Sequence, residues 1–155
     1  MKSCLAVFVS VCLLAMLGYP ARIPAQEETG YVVIVHVENP VTELDKKEIA
    51  KIFLKKTKEW KEMKKTIEPI DLASDSPVRE RFSKEVLERT MNAVKAYWQK
   101  EIFSGRSVPP VEKTSNEEVL KFVSEHVSAI GYVSSSADMS AYEKVKTITV
   151  LGREK

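Results

Sequence analysis

Seven consecutive residues, Tyr31 to Val37, read Tyr-Val-Val-Ile-Val-His-Val. β-Branched residues at almost every position favour an extended backbone. Because no polar face alternates with the apolar one, such a strand needs cover on both sides. That requirement predicts an α/β layer rather than a sheet with one wet face. Asn39-Pro40 then stops the strand.

The rest of the chain supplies the covering elements. Thr42 opens a first helix, with Thr42 and Asp45 as a loose capping pair. Its apolar stripe is Leu44, Ile49, Ile52 and Phe53, and it ends in the basic stretch Lys55-Lys56-Thr57-Lys58. Positive charge suits a helix C-terminus, where unsatisfied carbonyls concentrate negative potential. Trp60 follows in a polar loop. Thr66 to Leu72 is a second strand, with Pro69 placing it near an edge or a strand end. Ser76-Pro77 starts the next helix, an N-cap hydroxyl followed by a proline whose missing N–H costs nothing there.

Val78, Phe82, Val86 and Leu87 form the buried stripe of that helix. Thr90 caps another, with Val94, Tyr97, Trp98 and Ile102 inward and Ser104-Gly105 at its end. Ser115 and Glu118 form a capping box ahead of Val119, Leu120, Phe122 and Val123. Ala129 to Val133 and Lys146 to Leu151 are the last two strands. The order β-α-β-α-α-α-β-β predicts an α/β fold with a small mixed sheet flanked by helices.

The first 25 residues belong to none of this. Met-Lys precedes an apolar run from Cys4 to Gly18, and Ala25 offers a small residue at a cleavage position. This is the pattern of a secretory signal peptide, which implies a periplasmic protein. An uncleaved membrane anchor is the alternative, although about 20 apolar residues are needed to span a bilayer and this run is shorter. Lipidation at Cys12 is disfavoured by Val9-Ser10-Val11 before it. Residues 26–30 are a polar leader, and residues 31–151 form the single domain.

Removing the signal changes the chemistry available. The full chain has 24 basic and 22 acidic residues. Lys2 and Arg22 leave with the signal, so 22 bases face 22 acids. A neutral surface offers no electrostatic footprint for nucleic acid. Cys4 and Cys12 also leave, so neither a disulfide nor a thiolate site is available. His36 and His126 alone make no metal site. No nucleophile elbow or phosphate-cradling glycine loop occurs, and no cofactor is expected. These features point away from an enzyme.

Several pieces in order carry a resemblance. Val32-Val33-Ile34-Val35 runs into Asn39-Pro40, and Ile52-Phe53, Trp60, Ile70, Ser76 with Phe82, and Ala129-Ile130-Gly131-Tyr132-Val133 follow. This set resembles the phosphate-binding proteins of ABC transporters, of the type II periplasmic binding protein fold. It matches one lobe of the two that close on phosphate. The resemblance implies a single periplasmic-binding-protein-like lobe. It also implies a phosphate or other oxyanion ligand, and ABC transporter membrane components or another envelope protein as partners. A homodimer would supply a second wall. The alternative is a protein-interaction or sensory module that kept the fold and lost the ligand.

The family's ligand set is an arginine followed by Ser-Gly-Thr at a helix start. The serine falls on Ser76, the glycine on Pro77, the threonine on Val78 and the arginine on Leu72. Pro77 removes a donor N–H, Val78 removes a hydroxyl, and Asp75 adds a negative charge. Arg79 and Arg81 on the next turn either offset these losses as anion contacts or are solvated helix charges. Thus Ser76, Val78, Arg79 and Arg81 are the candidate ligand residues, with Ser76 equally readable as a plain N-cap. Arg106, next to Gly105 in a loop, is a further candidate polar contact. Ser134-Ser135-Ser136, after a strand, is either a ligand loop or a hydrophilic turn.

Overall fold

A computed structural model describes residues 30–152; the signal assigned to residues 1–25 lies outside them. The Tyr31–His36 strand (β1) sits inside a six-stranded sheet of order β2-β8-β1-β7-β5-β6. The other members are β2 (Glu43–Asp45), β5 (Glu68–Leu72), β6 (Val111–Lys113), β7 (Ala129–Ser134) and β8 (Val145–Leu151). β1 runs antiparallel to both its neighbours, β7 and β8. β2 pairs parallel with β8, and β5 pairs parallel with β6 and β7. The sheet is therefore mixed, as the alternation of elements predicts. A separate two-stranded hairpin joins β3 (Glu59–Trp60) to β4 (Lys65–Thr66).

Helices cover both faces, as the apolar β1 requires. Successive side chains of a strand point to opposite faces. On β7, Gly131 faces α4 (Asn116–Glu125): a Cβ there would lie 2.7 Å from a Val119 methyl. Glycine is thus what lets α4 lie against the sheet. Tyr132 faces the other way, onto Phe53 of α1 (Lys46–Phe53) and Phe82 of α2 (Pro77–Glu85). Its ring stacks on Phe82 at 3.8 Å, and Tyr31 meets the Phe82 ring edge-on. This aromatic cluster, with Val33, Val35, Ile70 and Val119, forms the core. α3 (Met91–Phe103) packs outside α2.

Three local predictions are corrected. Thr42 does not open α1: its carbonyl accepts from Thr149 N–H at 2.9 Å, and Glu43–Asp45 extend the sheet as β2. The helix begins after Asp45, whose side chain makes no capping bond. Trp60 is buried rather than in a polar loop, and its indole N–H donates to the Ser128 carbonyl at 2.9 Å. Ile102, expected inward, is half exposed because α3 is covered on one side only. Pro69 lies near the beginning of β5, an inner strand, so it is tolerated as a strand-end residue.

Candidate functional site

Parallel β5, β6 and β7 end at the same side of the sheet, and their following loops converge there. This carboxyl edge is where open α/β sheets take ligands. The loop after β5 leads to Ser76, which has extended backbone angles and caps α2: its Oγ accepts from Arg79 N–H at 3.4 Å. Pro77 occupies the first helical position. The loop after β6 holds Ser115, whose Oγ accepts from Glu118 N–H at 3.3 Å to cap α4. Glu118 reaches back one residue further than a regular capping box, to Thr114 N–H and hydroxyl at 2.8 Å each.

Of the four candidate ligand residues, two meet. Ser76 and Arg79 share the first turn of α2. Val78 faces the core, and Arg81 lies on the exposed flank, paired with Glu85 at 2.8 Å. Arg79 is no solvated charge; it is 3% exposed. Its side chain folds back toward β5, where Nη1 donates to the Leu72 carbonyl at 2.5 Å. The same Nη1 meets Glu112 Oε1 on β6 at 2.6 Å, and Nη2 meets Asp71 Oδ2 on β5 at 3.0 Å. The Nε is buried without a partner. A guanidinium therefore rests against Leu72, the position onto which the family's arginine falls, but it arrives from seven residues along.

Asp71 and Tyr132 complete the network. Asp71 is 5% exposed, and the Tyr132 hydroxyl donates to its Oδ1. The Leu72 N–H also donates to that oxygen, at 3.1 Å. Burial raises the Asp71 carboxyl above its ordinary 3.8, against the opposing pull of Arg79 and Tyr132. Burial likewise pushes the Tyr132 hydroxyl well above 10.0, reinforced by the Asp71 charge. For Arg79, burial works against the charge, but Asp71 and Glu112 outweigh it and hold the guanidinium protonated. One positive charge thus faces two carboxylates, and little of it remains for an incoming anion.

Ser74, Arg79, Met91, Trp98, Pro109 and Glu112 line a cleft of about 470 Å³. Its size falls in the range of small-ligand sites. The Ser134-Ser135-Ser136 segment is a closed turn: Ser134 Oγ and Ser136 Oγ lie 2.8 Å apart, and Ser135 N–H donates to the Gly30 carbonyl at 2.9 Å. Asn116 Oδ1 accepts from Ser134 N–H at 3.0 Å, tying two loops of the edge together. Among the described residues, no group of three His, Cys, Asp or Glu side chains is placed to hold a metal ion. His36 Nδ1 accepts from Glu38 N–H at 3.1 Å, and the His126 ring stacks on Phe122 at 3.9 Å.

Tyr132 lies within the Ala129-Ile130-Gly131-Tyr132-Val133 motif, but Asp71 and Glu112 carry no motif in the sequence. One signal was available for Asp71: an acid between Ile70 and Leu72 in a strand buried on both faces must have a partner.

A family model described as PBP superfamily domain matches residues 29–155. No curated protein is significantly similar to the chain. Among solved structures, an ABC-type phosphate transport receptor from Vibrio cholerae is 19% identical, with a TM-score of 0.58 over 81% of this chain and 47% of the other. PstS from Borrelia burgdorferi is 18% identical, with a TM-score of 0.60 over 78% of this chain and 47% of the other. A possible phosphate binding protein from Planctomyces limnophilus is 16% identical, with a TM-score of 0.59 over 81% and 43%. The chain spans less than half the length of each, and these likenesses establish the fold.

Proposed function

The chain belongs to the PBP superfamily domain family, and from that premise we propose that it is a periplasmic solute-binding-like protein, related to phosphate or another small oxyanion and linked to ABC-type transport. The observation that carries this reading is the start of α2. A capping serine, the positive end of the α2 dipole and a guanidinium seated on the Leu72 carbonyl lie together at the carboxyl edge of the sheet. Two of the similar solved structures are named a phosphate transport receptor and a possible phosphate binding protein, and those names support the same ligand class. Export through the 1–25 signal and residence in the periplasm belong to this proposal. So does a binding role without catalysis.

One observation favours a second reading. Asp71 and Glu112 already balance Arg79, so this lobe offers an anion hydrogen-bond donors but no unspent charge. Charge-assisted contacts contribute about 1.5–3 kcal/mol each, and their absence weakens a site with a single wall. In that reading the lobe is an interaction or sensory module, and its partner is an envelope protein or a second copy.

Isothermal titration of the purified protein with phosphate at low salt separates the two. Saturable binding in the micromolar range, lost in Ser76→Ala, supports the receptor. Absence of heat up to about 1 mM phosphate, equivalent to less than about 4 kcal/mol of binding, rules it out in favour of the module.

A further inference from the structure

The C-termini of α1 and α3 close in the same way and border one concavity. In α1, Lys55 N–H donates to the Ile52 carbonyl at 2.9 Å and Lys56 N–H to the Lys51 carbonyl at 2.7 Å. In α3, Gly105 N–H donates to the Ile102 carbonyl at 3.0 Å and Arg106 N–H to the Glu101 carbonyl at 3.0 Å. Both are paired closures in which the residue after the cap turns left-handed. Its φ is +66° at Gly105 and +52° at Lys55. Glycine suits that conformation; a lysine there is strained. The Tyr97 hydroxyl, midway along α3, donates to the Leu54 carbonyl at 2.9 Å and ties α3 to the end of α1.

Between them lies a concavity of about 410 Å³. Buried Ile52 and Ile67 and the exposed Val108 give it apolar lining, and Lys55, Lys58 and Arg106 give it charge. Thr57 and Ser107 add hydroxyls, and no carboxylate lines it. Arg106 is partly balanced by Glu101 at 3.5 Å. Each helix C-terminus contributes about half a negative charge. Three cations against one carboxylate and two helix ends leave about one positive charge. The crowding is real: burial, and then Lys58, lower the Lys55 pKa.

We propose that this concavity binds a small organic monoanion with an apolar body, such as an aromatic carboxylate. The positive charge selects one negative group, and the apolar lining selects the body. Inorganic phosphate would press hydrated oxygens onto apolar surface and fits poorly. The strained Lys55, placed where α3 uses glycine, keeps a cation at the concavity at the expense of backbone comfort. The site lies at the beginning of β5, beside Ile67 and Pro69, whereas Ser76 follows the end of that strand. The two sites stand or fall separately.

Amide chemical shifts of the purified protein, titrated with benzoate, test the proposal. Benzoate should saturably shift Lys55, Thr57, Lys58 and Gly105 to Ser107 with a Kd of about 1 mM or below. Acetate, which has the charge without the body, and benzyl alcohol, the reverse, should bind at least about tenfold more weakly. Lys58→Gln with Arg106→Gln should weaken benzoate about tenfold or more, as should Lys55→Gly, which also relieves the left-handed strain and so preserves the fold. Ser76→Ala should leave benzoate binding unchanged. Three outcomes overturn the proposal: no saturation up to about 10 mM, equal binding of benzyl alcohol, or shifts confined to the start of α2.

Discussion

Arg79 shows how far a charged residue can be from its surface appearance in sequence. Helical spacing puts it on the same turn as Glu80 and Arg81, in a segment that reads as a solvated face. Yet it is buried against Asp71, Glu112 and the Leu72 carbonyl. Removing one member of a buried pair leaves the other uncompensated, at a cost of about 3–5 kcal/mol. Arg79→Met should destabilise the protein by that amount in a urea titration. Glu112→Gln should cost less than about 1 kcal/mol, since that carboxylate is 47% exposed. Asp71 adds a pH signature. Its folded pKa is raised above 3.8, so its contribution to stability is present in acid and is lost as pH rises through the folded value. In Asp71→Asn, stability should therefore change less than in the wild type as pH is raised from 3.8 toward neutrality. A steeper change in the variant would contradict the burial argument. Of this network, the sequence disclosed only the apolar company that Asp71 keeps, because the partners lie 8 to 61 positions away in the chain.

Single elements were far more legible. Local rules act within a few residues, and the caps at Ser76, Thr90 and Ser115 stand where hydroxyl spacing puts them, each accepting from the N–H three residues on. Ser76→Ala should cost about 1 kcal/mol by thermal or urea unfolding without phosphate, as for a lost cap. Any further loss confined to phosphate-containing samples would belong to the proposed ligand. Elements whose stability comes from a distant partner were missed. β2 and β6 have three residues each and exist because β8 and β5 lie beside them. The β3–β4 hairpin is shorter still, and it is held where Trp60 reaches Ser128. Gly131 belongs at this scale as well. Its Ala variant would press a methyl on Val119, and overpacking of a closed helix–sheet contact costs about 1–3 kcal/mol. A melting curve of Gly131→Ala indistinguishable from the wild type would show that α4 can shift without loss.

At the scale of the molecule, the α/β class and the mixed sheet follow from alternating periodicities, and the lobe-sized match follows from ordered motifs rather than from any one of them. The strand order was hidden, since nothing local says which strands become neighbours. That order has a temporal side. β1 is made before both its neighbours, β7 and β8. Its backbone donors and acceptors wait for partners about 100 positions downstream, and closing such long loops slows folding. Deleting residues 145–155 should leave one flank of β1 bare and yield a chain without native near-ultraviolet circular dichroism. Until β7 and β8 arrive, Tyr-Val-Val-Ile-Val-His-Val is an unpaired, aggregation-prone strand. If the chain is exported as proposed, the same delay keeps it from locking into its final shape before β7 and β8 are made.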